Sequence, residues 1–208
     1  MKLIGIVGTN SDRSTNRKLI QYMKEHFSDQ VEIEVCEIKD FPVFDEPEDK
    51  TSPSIINLLS EKIDQADGVI ISTPEYDHSI PAALKSMLEW LSYTTRPLMD
   101  KPVMIVGASH GSLGSSRAQA HLRQILNAPE LKARVMSGTE FLLGQSLQAF
   151  DEDGQLIYPE KVKELEESMD DFLLFVDITN QLMASNPYKT KKDQKVIWEQ
   201  AVEGVDKK

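Results

Sequence analysis

Five times along this chain a short apolar run leads into a stretch whose apolar residues recur at helical spacing, and few folds accept that alternation. The runs are Leu3-Ile-Gly-Ile-Val7, Val31-Glu-Ile-Glu-Val35, Asp67-Gly-Val-Ile-Ile-Ser-Thr73, Pro102-Val-Met-Ile-Val-Gly107 and a short one from Arg134 to Ser137. The first is apolar throughout, as a strand covered by helices on both faces must be, while the second alternates with glutamates and suits a place near the sheet edge. Between them lie a helix from Asn16 to His26, one capped by Ser54 with Ile55, Ile56, Leu59, Ile63 and Ala66 on one side, and one capped by Ser79 with Leu84, Met87, Leu88 and Leu91 as its core stripe. Ala118, Leu122, Ile125 and Leu126 mark a fourth helix, and Val162, Leu165, Met169, Phe172, Leu173 and Val176 mark a fifth from Glu160 to Leu182, closed by Pro187. The pattern predicts an α/β fold: a three-layer, doubly wound, parallel five-stranded sheet in the order 2-1-3-4-5. Residues 1–182 form this domain and 183–208 a tail.

In that order the loops after strands one, three and four meet at one edge of the sheet, where ligands bind in open α/β folds. The first loop, Gly8 to Asn16, offers hydroxyl and amide donors from Thr9, Ser11, Ser14, Thr15 and Asn16 around the start of a helix, with Arg13 among them. Such a turn either cradles a phosphate on free backbone N–H groups or serves only as a turn and N-cap. It has neither Gly-x-Gly-x-x-Gly nor a Gly-Lys-Ser/Thr ending, which excludes a dinucleotide fingerprint and an NTP loop. A compact monophosphate fits better, with flavin mononucleotide the obvious candidate. The second loop, Pro74-Glu-Tyr-Asp-His-Ser-Ile-Pro81, is polar, aromatic and held by two prolines; the third contains Gly111 and Gly114, whose missing side chains let backbone approach a flat ligand.

Composition removes other classes. A formal charge of −11 opposes nucleic-acid binding, the single Cys36 allows no intrachain disulfide or cysteine-based metal cluster, and no apolar run reaches a membrane-spanning length. The expectation is a cytoplasmic protein with no nucleic acid, membrane or metal as partner. From Met183 to Lys208 six lysines face four acidic residues, leaving a body of about −13 by the same count. This tail is either a docking arm with a short helix at Val196-Ile-Trp-Glu-Gln-Ala-Val202 or a loosely held end.

Taken together, the three loops resemble those of the NADPH-dependent FMN reductase family, flavodoxin-like proteins that include quinone and chromate reductases and azoreductase-like flavoproteins. The resemblance spans roughly Lys2 to Leu182 and rests on Gly8-Thr-x-x-x-x-Ser-x-Asn-Arg17, on Thr73-Pro-Glu-Tyr-x-x-Ser-x-Pro-x-x-Leu-Lys85 followed by Glu89-Trp90, and on Gly111-x-x-Gly114 leading to Arg117-Ala-x-x-x-Leu-Arg-x-x-Leu126. It implies that Thr9 through Asn16 hold the FMN phosphate, that Pro74, Glu75, Tyr76 and Asp77 lie against the isoalloxazine and ribityl chain, and that Ser109, His110, Gly111 and Gly114 border the far edge of the ring. It implies further that NADPH or NADH delivers hydride to flavin N5, that electrons pass on to a small acceptor such as a quinone or free flavin, that no side chain acts as acid, base or nucleophile, and that the protein is a homodimer or homotetramer.

The chain departs from the family pattern at Ser11, where arginine is usual, at Arg13 and His110, where glycine is usual, and at Asp77, where asparagine is usual. Asp77 and His110 fall at the ends of neighbouring strands and either pair over the pocket or stay apart on backbone donors and solvent. Tyr76 is expected on the ligand and His78 on the surface. Two alternatives keep the fold: an FMN-binding electron carrier serving a protein partner, and a flavin-free binding module.

Overall fold

A computed structural model describes residues 1–138 and 140–185; the expected helix at 196–202 lies outside the described residues. The elements alternate as β1 (Lys2–Val7), α1 (Thr15–His26), β2 (Glu32–Glu37), α2 (Ser54–Gln65), β3 (Gly68–Ser72), α3 (Ala82–Trp90), β4 (Pro102–Ala108), α4 (Ser116–Leu126), β5 (Arg134–Val135), β6 (Phe141–Leu143) and α5 (Pro159–Ser185). All pairings are parallel and the order is β2-β1-β3-β4-β5, with β6 also on β4. The expected order holds, with β2 at the edge.

The fifth lane is shared by two short strands: β5 pairs with Pro102 and Val103 at the start of β4, and β6 pairs with Val106 to Ala108 at its end. Neither is long enough to carry a periodic pattern, and β6 had no sequence signal. Two expected caps also differ. α2 and α3 begin after Pro53 and Pro81, neither with a side-chain cap bond. Proline fixes φ and suits a helix entry, so neither serine is needed there. Ser79 instead bonds His121 Nδ1 through its hydroxyl, at 2.7 Å.

Side-chain alternation along the strands divides the core in two. Ile4, Ile6, Val69, Ile71, Val103 and Ile105 face α2, α3 and α4, whereas Leu3, Val7, Ile70, Met104 and Val106 face α1 and α5. Because both faces are covered, β1, β3 and β4 are buried almost end to end. The acidic, proline-rich connection after β2 packs down as well: Trp90 Nε1 donates to the Pro42 carbonyl at 3.0 Å, and Phe44 meets the Trp90 ring edge-on at 5.1 Å. What positions a site is the register. Val7 lies opposite Ser72, and Ser72 opposite Val106, so the loops after β1, β3 and β4 leave the sheet side by side.

Candidate functional site

The first loop is held in shape by Arg17. Its guanidinium grips Glu37 with two bonds of 2.5 and 2.8 Å and donates to the carbonyls of Ser11 and Asp12 at 2.8 and 3.1 Å, and Lys39 ties down Asp12 at 2.5 Å. Ser14 caps α1, its hydroxyl accepting from the backbone N–H groups of Asn16 and Arg17, each at 3.2 Å. The backbone N–H groups of Arg13, Ser14 and Thr15 find no acceptor among the described residues, and the exposed Arg13 makes no ion pair among them. Free donors, a helix N-terminus and an unpaired cation therefore converge on one spot.

Other donors in this loop are spent on the protein. Asn16 is buried: its Nδ2 donates to the Ala108 carbonyl at 2.8 Å, and its Oδ1 accepts from Ser72 Oγ at 2.8 Å and from the Ala108 N–H at 2.9 Å. One side chain thus joins α1 to the ends of β3 and β4. Thr15 shares a hydroxyl bond of 2.8 Å with the buried Ser146, in a fourth loop after β6. Thr9, fully buried, accepts from the Ser11 N–H at 3.2 Å, and its hydroxyl lies 3.4 Å from Tyr76 Oη. These bonds lock the loops together.

In the second loop Tyr76 and Ser79 exchange backbone bonds of 3.0 and 2.9 Å across a two-residue turn in which both Asp77 (φ 47°) and His78 (φ 63°) are left-handed. Aspartate tolerates that conformation and histidine adopts it at a cost of about 1–2 kcal/mol. The turn carries Tyr76 and His78 on the wall of a cavity and leaves the exposed Asp77 off it. Glu75 is turned to another task. Its carboxylate accepts from the N–H groups of Arg117 and Ala118 at 3.0 and 3.3 Å and from the Arg117 guanidinium at 3.2 Å. It caps α4, whose own N-cap residue, Ser115, forms no side-chain cap bond.

The three loops enclose a cavity of about 560 Å³. Of the residues singled out in the sequence, it is lined by Ser11, Arg13, Ser14, Thr15, Asn16, Pro74, Glu75, Tyr76, Ser109, His110 and Gly111. Thr9, Asp77 and Gly114 are not on its wall. Gly114 (φ +59°) is needed for packing rather than for a ligand, since a Cβ there would lie 2.6 Å from the Leu142 carbonyl carbon; a Cβ on Gly111 would meet nothing within 4 Å. Asp77 and His110 share no hydrogen bond or ion pair among the described residues. His78 is exposed, as expected, and also borders the cavity; Ser112, Leu113 and Arg117, which the sequence did not mark as site residues, line it too. Arg117 belongs to the third-loop motif; the left-handed turn that places His78 is not dictated by residue type, which only tolerates it. Among the described lining residues Glu75 is the one carboxylate, and it sits on a helix N-terminus beside Arg117. In a chain of charge −11, the cavity wall is locally short of negative charge.

Residues 1–148 match the model of the family described as NADPH-dependent FMN reductase. The NADH:(hydroxy)cinnamate reductase subunit CrdA of Vibrio ruber is 56% identical over 199 residues, covering 96% of this chain and 98% of that protein. The NADH-dependent flavin reductase subunit 2 of Lactobacillus johnsonii is 43% identical over 182 residues, covering 85% of this chain and 98% of that protein. Among solved structures, FerB, a flavoenzyme NAD(P)H:(acceptor) oxidoreductase from Paracoccus denitrificans, superimposes with a TM-score of 0.76 at 25% identity, covering 86% of this chain and 98% of that one.

Proposed function

The chain belongs to the NADPH-dependent FMN reductase family, and we propose that the cavity between its three loops is where FMN binds and where a nicotinamide and a small electron acceptor meet it in turn. The observation that carries this reading is the division of labour on the cavity wall: unpaired backbone donors and Arg13 at one end, and Pro74, Tyr76 and Gly111 at the other. The first end fits a phosphate dianion and the second a flat ring, so the residues present suit the group. When bound, FMN supplies the chemistry, taking hydride from the nicotinamide and yielding two electrons to a quinone, a free flavin or a similar acceptor.

The chain's own residues bind and orient. The N–H groups of Arg13, Ser14 and Thr15, the hydroxyl of Ser11 and the Arg13 guanidinium hold the phosphate, each hydrogen bond to that charge being worth about 1.5–3 kcal/mol. Asn16 acts one step back, fixing the spacing between the phosphate loop and the ends of β3 and β4. Glu75 does the same for the second and third loops, through the start of α4. Holding donor and acceptor on one face supplies the proximity the transfer requires, without a side-chain acid, base or nucleophile. We place the protein in the cytoplasm, where dihydronicotinamides are available, as a homodimer or homotetramer.

A second reading, in which the electrons pass to a protein partner, is supported by the two relatives named as subunits. The test is to purify the chain alone, record its spectrum and follow NADH oxidation with a quinone. Flavin bands and steady-state turnover support the first reading. Flavin bands with turnover only after a partner is added favour the second, and a colourless protein that takes up no FMN removes both.

A further inference from the structure

Beside the flavin cavity lies a second one, of about 660 Å³, separated from it by a ridge of two residues, Ser112 and Leu113, which line both. Its wall is built from the loop after β6 and the start of α5. Tyr158 presents a ring, Leu113 and Leu142 apolar surface, Ser116 and Gln145 neutral polar groups, and Glu160 a carboxylate. The two cavities are mechanically joined, since the Gln145 N–H donates to the Gly111 carbonyl at 2.9 Å. Lys161 also reaches this wall, but its ammonium is engaged with Glu164 at 2.6 Å and lies 5.7 Å from the centre of the Phe141 ring. Glu160, exposed, has no partner among the described residues.

The geometry points to this second cavity as the seat of the adenosine half of the nicotinamide cosubstrate, with Glu160 selecting NADH over NADPH. The inference rests on the proposed flavin site and deepens it. At about 560 Å³ the first cavity has the size that one ligand of FMN's class fills. A dinucleotide whose nicotinamide lies over the flavin must therefore place its other half outside, and a concave surface adjoins the cavity across the ridge. The groups there match that half in kind. Tyr158 gives a face for the adenine, Gln145 and Ser116 give donors and acceptors for its edge and the ribose, and the Ser112 hydroxyl stands on the ridge the pyrophosphate must cross. A carboxylate accepts from a ribose 2′-hydroxyl and repels a 2′-phosphate. Among the described residues the one cation on this wall, Lys161, is already paired, so a 2′-phosphate beside Glu160 would find repulsion and no free counter-charge among them.

Binding without turnover tests this directly: ADP-ribose and its 2′-phosphorylated form are titrated by calorimetry into FMN-loaded protein. ADP-ribose should bind at least about tenfold more tightly than the 2′-phosphorylated form, Glu160→Gln should bring the two within about threefold, and Tyr158→Ala should weaken both about tenfold, as loss of a base-stacking aromatic does. The second arm compares NADH with reduced nicotinamide mononucleotide, which lacks the adenosine. Tyr158→Ala should lower kcat/KM for NADH by about tenfold and leave that for the mononucleotide unchanged. The inference is overturned if neither ADP-ribose form binds, if Tyr158→Ala leaves ADP-ribose binding unchanged, if both nicotinamides lose equally, or if Lys161→Ala rather than Glu160→Gln removes the discrimination. Turnover with the mononucleotide in any of those cases leaves the flavin site itself standing; failure of the mononucleotide and of FMN uptake together removes the site on which the inference rests.

Discussion

Replacing Asn16 by alanine separates two roles that its position in the phosphate loop would allow. The side chain makes three buried hydrogen bonds, to the Ala108 carbonyl, the Ala108 N–H and Ser72 Oγ, all at 2.8–2.9 Å. Removing it deletes the bonds and also leaves their buried partners without a mate, so about 1 kcal/mol per bond is a floor and roughly 3–4 kcal/mol in total is expected. For a chain of this size each kcal/mol shifts Tm by about 2–4 °C, so Asn16→Ala should melt roughly 6–16 °C below the parent. Ser14→Ala is the control: it removes only an N-cap worth about 1 kcal/mol and should move Tm by roughly 2–4 °C. The assay is thermal and urea unfolding of the FMN-free protein, followed by flavin fluorescence titration at a temperature where both variants are folded. A Tm for Asn16→Ala within about 2 °C of the parent, with FMN affinity reduced tenfold, would refute the reasoning and return the side chain to the ligand.

Arg13→Ala should behave in the opposite way: the side chain is exposed and unpaired among the described residues, so stability should stay within about 0.5 kcal/mol while FMN affinity falls roughly 10- to 100-fold. Equal flavin affinity in parent and variant would take Arg13 off the phosphate. Gly114→Ala forces a side chain into a left-handed position 2.6 Å from the Leu142 backbone and should cost more than about 1 kcal/mol, whereas Gly111→Ala, with nothing within 4 Å, should leave the melting curve alone. Equal melting curves for the two would refute the packing role. Hydrogen bonds from Lys2 and Lys62 hold the Glu34 carboxyl down from 4.5 to about 2. Its pKa is thus lower folded than unfolded, so the stabilisation is present above pH 4.5 and is lost as pH falls through about 2. Glu34→Gln should therefore be less stable than the parent at neutral pH, with the gap closing across that window; a gap unchanged down to pH 2 would remove the linkage.

The element order and the three loops at one sheet edge could be read along the chain because their signals are local. Apolar runs of β1, β3 and β4, buried on both faces, and the helical spacing of Leu84, Met87, Leu88 and Leu91 need no knowledge of distant residues. The same is true of the donor-rich turn before α1. Other features had no local signal: β6 was too short to show one, although the still shorter β5 was read at Arg134 to Ser137, and the residue types at Asp77 and His78 do not require two left-handed positions. The use to which each polar side chain is put depends on what folding brings beside it. Asn16, Thr15 and Glu75 carry groups equally suited to a ligand or to the protein, and the choice was made by Ala108, Ser146 and Arg117, which lie 92, 131 and 42 positions further along the chain. Arg13 has no such neighbour among the described residues, and its charge borders the cavity. Donors and acceptors are spent first on the partners that close packing delivers, and those left over form the site.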